Sequence, residues 1–314
     1  MAEPEHDGGR VAILAAFAAN LGIAIAKFAG FAFTGAASLL AEAIHSLADT
    51  ANQALLFLGR ARARREPDPS HPFGYGRVRY FWAFIVALVL FLAGGVFAIV
   101  EAIDKLRHPH KVESLGWAIG ILAIAMVLEG WSLRTGVREA RPAKGNMTWW
   151  AFIRHTKHPE LPVVLLEDTG ALAGLVFAML GVVVASITGN PRFDSVGSLA
   201  IGLLLVVIAI TLAIEMSSLL VGESARPDEV RAIWRAMEAG DDVVRVIHMR
   251  TEHLGPDELL IAAKVEFVRD LSVRQLAAAI NAAEVRARAA VPERCVIYIE
   301  PDIFDEEKVA AGAP

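Results

Sequence analysis

Glu42, His45, Asp49 and Asn52 recur at intervals of three and four in the stretch SLLAEAIHSLADTANQ, Ser38 to Gln53. On a helix that spacing lays all four along one face. Imidazole and carboxylate one turn apart, as His45 and Asp49 are, can grip one divalent cation. Zn²⁺ takes such N and O ligands at roughly 2.0–2.2 Å, usually four of them. A single helix rarely supplies four, and a second acidic pair, Glu167 and Asp168, stands in VVLLEDTGALAGL, again within apolar sequence. Ionisable groups inside an apolar span are costly and mark a binding site or ion path. The plainer alternative is a His–Asp pair hydrogen-bonded between helices; two acidic clusters in two spans weigh against it. Cys295 is the only cysteine, so neither an internal disulfide nor a thiolate zinc cluster is available.

The elements that must position these groups are long and apolar. Of the 314 residues 55% are hydrophobic, with a mean hydropathy of +0.48. Six apolar segments, roughly 11–33, 36–59, 80–103, 115–134, 162–187 and 195–221, each approach or exceed the ~20 residues that cross a hydrocarbon core as a helix. An even number puts both termini on one side. The loop after the second segment holds Arg60, Arg62, Arg64, Arg65, Arg77 and Arg79. The loop after the fourth holds Arg134, Arg138, Arg141, Lys144, Arg154 and Lys157. The positive-inside rule therefore expects cytoplasmic N- and C-termini in a multi-pass integral membrane protein. The acidic start MAEPEHDGGR reads as neither a cleaved signal nor an Arg-rich transit peptide, so a bacterial inner membrane is the expected compartment. A net charge of −5 without a basic patch excludes a nucleic-acid footprint.

Other charges within the spans are expected to play lesser parts. Lys27 is expected to snorkel outward from the first segment. Glu129 and Glu215 are expected at interfaces or helix pairings. Ser198 and Gly202, four apart, have the small-xxx-small spacing of close helix packing.

After Gly222 the chain turns polar. PDEVRAIWRAMEAG places Val230, Ile233, Trp234 and Met237 on one helical face with proline at the start. DVVRVIHMRTEHL and LLIAAKVEFV read as strands about a GPDE turn. Ser272 can cap SVRQLAAAINAAEVRARAA, and RCVIYIEP is a third strand. The order α-β-β-α-β indicates a small ferredoxin-like α+β unit. His248, Glu252 and His253 could ligate metal near the first strand, but are read as solvated side chains. The expected division is a tail at 1–10, a six-helix membrane domain at 11–221, a cytoplasmic α+β domain at 222–302 and a tail at 303–314. In the loop EPDPSHPFGYGRVRY, Asp68 and His71 are three apart and admit two readings, a shallow metal site or a rigid turn.

SLLAEAIHSLADT, PDPSHPFGYGR, the acidic motif of the fifth span and the closing YIEPD resemble the cation diffusion facilitator family, over nearly the whole chain from about Val11 to Asp302. EAIHSLADTANQ, LLEDT and SITGNPRFDSVGSL are similar to its zinc transporter 9-like branch. The resemblance implies a dimeric six-helix exporter of zinc or related divalent ions with a cytoplasmic α+β dimerisation domain. It implies a transport site of two ligands on the second helix, matching His45 and Asp49, and two on the fifth. There Asp168 matches, but the position four earlier is Val164. Glu167, about 60° round the helix from Val164, Glu42, Asn52 or water are the candidates to complete the set. In the family's loop site Asp68 and His71 match and Tyr75 replaces a histidine. Where the last strand often ends HIEP, this chain has Tyr298-Ile299-Glu300-Pro301, which leaves the domain a mainly dimerising role.

The expected function is Zn²⁺ efflux in exchange for protons, by a homodimer in a lipid bilayer and without a resident cofactor. Ligands must be deprotonated to bind metal, so protons and metal compete, and imidazole switches near physiological pH. The oxygen-rich set also admits Mn²⁺, Fe²⁺ or Co²⁺. A passive metal channel shares the ligands, but conduction needs weak sites. No hydrolytic motif of the H-E-x-x-H kind points to an enzyme.

Overall fold

The computed structural model describes the backbone of residues 8–35, 37–109 and 115–305, and side chains from residue 21 on except those at 37, 38, 41, 45, 48, 49, 89–91 and 115. The six apolar segments form six long helices: α1 (Gly8–Thr34), α2 (Ala37–Ala63), α3 (Val78–Arg107), α4 (Leu115–Lys144), α5 (Glu160–Thr188) and α6 (Arg192–Val221). Among the described residues four of them, α3 to α6, are long and apolar enough to cross a membrane. α2 has the length, but its polar row and the closing Arg60 and Arg62 dilute its hydropathy.

α6 shows how these helices divide their surfaces. Leu203, Val207, Ile210 and Ile214, spaced four, three and four, are exposed, while Ile201, Leu205, Ile208 and Leu212 are buried. An apolar stripe on the outside as well as the inside is what lipid contact demands. Gly202 does lie at a close helix contact: a Cβ there would be 2.9 Å from the Gly95 carbonyl of α3. Ser198, one turn earlier, is fully buried.

Two features of the fourth loop differ from the expectation. α4 continues ten residues beyond its apolar run and carries Arg134, Arg138 and Arg141 on helix, with Pro142 inside it. A short helix, Trp149–His155, follows, capped by the Thr148 hydroxyl, which accepts from the Ala151 N–H at 3.2 Å. Its Phe152 packs with Ala140 of α4 and Leu165 of α5, so it pins the start of α5 to the end of α4.

Described residues fall into two compact units, one running to Arg62 and from Arg79 to Ser217, the other comprising Ala63–Val78 and the chain from Ser218 on. In the second unit, α7 (Pro227–Glu238), β1 (Val243–Gly255), β2 (Glu258–Phe267), α8 (Val273–Ala289) and β3 (Arg294–Pro301) follow the expected α-β-β-α-β order. The sheet order is β1-β2-β3, with β1 antiparallel and β3 parallel to β2. Alternate residues of β2 (Leu259, Ile261, Ala263, Val265) turn inward against Ile233 and Met237 of α7 and Ala279, Ala283 and Ala287 of α8. Ser272 caps α8 in a box with Gln275. The loop 63–78 joins this unit through backbone contact of Gly76 with Leu254 and Gly255 and an ion pair of Arg77 with Glu252.

Candidate metal-transport site

Two contacts orient α2 against α5. The Glu42 carboxylate lies against Gly174, where a Cβ would collide with its Oε1. Ten residues on, Asn52 Nδ2 donates to Glu167 Oε2 at 3.4 Å. The later residue of α2 meets the earlier residue of α5, so the two helices run antiparallel. Positions 45 and 49 fall between those contacts along α2. The side chains of His45 and Asp49 lie outside the described set, so the structure brings their helix to the site without reporting their ligand geometry.

From α5 come Glu167 and Asp168, both buried. Asp168 Oδ2 accepts from Ser132 Oγ of α4 at 3.1 Å. Val164, where the family pattern would put a ligand, lies beside Asp168 against α4: a Cβ on Gly136 would be 3.6 Å from Val164 and 3.5 Å from Asp168 Oδ2. Asn52 is fully buried, and among the described residues its Oδ1 has no hydrogen-bond partner. Among the described side chains no three His, Cys, Asp or Glu groups stand assembled as a metal cage.

Glu42 is differently engaged. Lys27 of α1, expected to snorkel outward, is 1% exposed and points into the domain. Its ammonium lies 3.2 Å from Glu42 Oε2, 2.6 Å from Ser46 Oγ and 3.7 Å from Glu129 Oε1 of α4. Hydropathy reports the depth of a lysine, not its direction, and an inward ammonium at that depth needs carboxylate partners that only the packing of α2 and α4 reveals. Glu215 pairs with Arg154 at 3.1 Å, the helix-end pairing expected for it.

A further buried acid, Glu160 at the start of α5, went unremarked in the sequence. Arg79 of α3 grips both its oxygens, at 2.7 and 3.0 Å, and Arg60 of α2 reaches Oε1 at 3.2 Å. One carboxylate thus ties the start of α5 to the arginine-bearing ends of two other helices, and the signal available was an acid at a helix N-terminus opposite two arginine runs.

In the loop, Asp68 is occupied by protein donors: the Ser70 hydroxyl at 2.5 Å, the Tyr75 hydroxyl at 2.5 Å and the backbone N–H of Ser70 and His71, each at 2.8 Å. The Ser70 hydroxyl first, then that of Tyr75 and the two N–H groups, hold its carboxyl well below the usual carboxylate range. His71 Nδ1 faces the Ser70 hydroxyl at 2.9 Å. These bonds suit the turn reading, with Tyr75 supplying a donor where the family pattern has a ligand. His248, Glu252 and His253 do not converge. His248 accepts from Arg250 Nε at 3.1 Å, Glu252 pairs with Arg77, and His253 is 1% exposed rather than solvated.

The pattern of the cation efflux transmembrane domain family matches residues 13–221. The chain is 39% identical over 245 residues to the mitochondrial proton-coupled zinc antiporter SLC30A9 of Mus musculus, 77% of this chain and 43% of that protein. It is 30% identical to metal tolerance protein C4 of Arabidopsis thaliana, over 73% of this chain and 50% of that one. It is 29% identical to the zinc transporter ZitB of Escherichia coli, over 64% and 59%. The chain spans less than half the length of the mouse protein.

Proposed function

The chain belongs to the cation efflux family, and from that premise we propose that it exports a divalent cation, Zn²⁺ foremost, in exchange for protons, as a homodimer. The observation that carries this is the meeting of α2 and α5 through Asn52 and Glu167, beside the buried Asp168. It supports a cargo site of His45, Asp49 and Asp168, completed by Glu167 with Asn52. Relatives named as zinc transporters, one of them a proton-coupled antiporter, support zinc as substrate and protons as counter-ions.

The chemistry is competition. Cation binding requires deprotonated imidazole and carboxylates, and protonation of the same groups releases the cation. The arginine-rich ends of α2 and α4 set the cytoplasmic side; the site loads there, turns outward, and returns protonated. Residues 222–302 serve as the cytoplasmic dimerisation domain. Flux into sealed vesicles with and without an imposed pH gradient tests the coupling: zinc uptake should follow the gradient, and gradient-independent uptake would sink antiport.

Glu167 favours one second reading. An oxygen ligand in place of an imidazole nitrogen at the Val164 position hardens the set, which suits Mn²⁺, Fe²⁺ or Co²⁺. Competition of each ion against zinc uptake decides between them.

A further inference from the structure

Lys27 is the one buried lysine among the described residues. Among the described residues four carboxyl groups are buried in the same helical unit close to the candidate site: Glu42, Glu129, Glu167 and Asp168. The ammonium does not stand between all of them. It bonds Glu42 Oε2 and Ser46 Oγ and lies 3.7 Å from Glu129, while Glu167 turns to Asn52 and Asp168 to Ser132. The buried acids are thereby sorted into two sets, one neutralised by a tethered cation and one left to the cargo.

The sorting matters because the two sets are near each other. Glu42 is three residues from His45, about 4.5 Å along α2, and Gly174 is six from Asp168, about 9 Å along α5. Ser46, which also binds the ammonium, is His45's neighbour in the chain. Glu42 is fully buried, its Oε1 has no hydrogen-bond partner among the described residues, and Gly174 leaves it room beside α5. A free carboxylate in that position would be a fifth ligand within reach of a cation held between α2 and α5.

We propose that Lys27 is a specificity-determining counter-ion: by holding Glu42 and flanking Glu129 it withholds those carboxylates from the cargo and confines the cation to the His45, Asp49, Asp168 and Glu167 set. This role rests on the export reading above. Among the described contacts Lys27 touches neither Glu167 nor Asp168; it acts through Glu42. Without the ammonium, Glu42 adds oxygen to the site and the choice of ion moves toward Mn²⁺, which favours carboxylate and higher coordination than the four ligands usual for Zn²⁺.

The test uses the full chain in proteoliposomes, with Zn²⁺ and Mn²⁺ uptake measured in parallel and binding of each ion titrated on the purified protein. K27M should raise the Mn²⁺:Zn²⁺ ratio about tenfold in both assays. A loss of folded protein lowers both ions together and cannot produce that change. E42Q, and the double variant K27M/E42Q, should keep the wild-type ratio within about twofold, the scatter of uncoupled sites. An unchanged ratio in folded K27M overturns the role, as does a shifted ratio in the double variant, which would show the change not to pass through Glu42. If K27M does not fold, E42Q and the double variant still decide, since a tenfold fall in zinc affinity in either would make Glu42 a ligand. Wild-type protein that neither binds nor moves zinc would instead sink the export reading, and the role of Lys27 with it.

Discussion

Asn52 and Glu167 meet across 3.4 Å although 115 residues separate them in the chain. The amide spends one of its N–H groups on the carboxylate and leaves its own carbonyl without a partner among the described residues. Asn52 is therefore expected to aim Glu167 as an outer partner aims a ligand. Asn52→Ala should lower zinc affinity about tenfold, and Glu167→Gln by more, toward the upper end of the ~10–100-fold that losing such partners costs. Equilibrium zinc titration of the purified variants measures both; an Asn52→Ala loss larger than that of Glu167→Gln would reverse their roles.

Asp168 carries a sharper expectation. It is buried, receives only a serine hydroxyl at 3.1 Å among the described contacts, and lies beside the valine that leaves the pattern incomplete. A set already one member short does not tolerate the loss of another. Asp168→Ala should cut zinc flux more than ~100-fold, beyond the effect of an outer partner, while the size-exclusion profile of the folded protein stays that of the wild type. Wild-type flux in that variant would remove α5 from the site.

Much of this was legible in one sequence, and the limits have physical causes. Apolar runs longer than ~20 residues can only be spans or buried helices, so six helices followed. The α-β-β-α-β order followed from the two strand-like runs about the GPDE turn and from the Ser272 cap. The acids of α2 and α5 stood out because charge inside apolar sequence is conspicuous. What stayed hidden depended on partners remote in the chain. Lys27 has a depth in the sequence but no direction until Glu42 and Glu129 are packed against it. Glu160 acquires meaning only when Arg60 and Arg79 converge on it from two other helices. The continuation of α4 to Lys144 was missed because hydropathy marks where a helix leaves apolar surroundings, not where it stops being helical.

The Glu160 clamp makes a prediction about stability. Its carboxylate is 8% exposed and shared by two arginines of unequal burial, Arg79 at 14% and Arg60 at 48%. Removing one partner of a buried pair costs about 3–5 kcal/mol, because the other charge is left without compensation. A partner half in solvent contributes about 0–1 kcal/mol. Glu160→Ala and Arg79→Ala should therefore each destabilise the helical unit several-fold more than Arg60→Ala. Thermal unfolding in one detergent across the three variants gives the order, and equal losses would mean that Arg60 is held as firmly as Arg79.

The loop offers the pH prediction. Asp68's carboxyl is held low, first by the Ser70 hydroxyl and then by Tyr75, so its folded value lies below the ordinary value of about 3.9. For a depressed carboxyl the stabilisation is complete above the unfolded value and lost as pH falls through the folded one. The turn should accordingly be indifferent to pH between about 5 and 8 and loosen only in strong acid. Tyr75→Phe removes one of the two hydroxyl donors without removing a charge, so the Asp68 value should rise toward the ordinary range and the loosening should begin at higher pH. Carboxyl-carbon NMR of aspartate-labelled protein follows Asp68 directly. Zinc flux of Tyr75→Phe at pH 7 should stay within about twofold of wild type, as expected of a site not coupled to the cargo. A large loss of flux with an unmoved Asp68 titration would instead return this loop to the list of metal-handling elements.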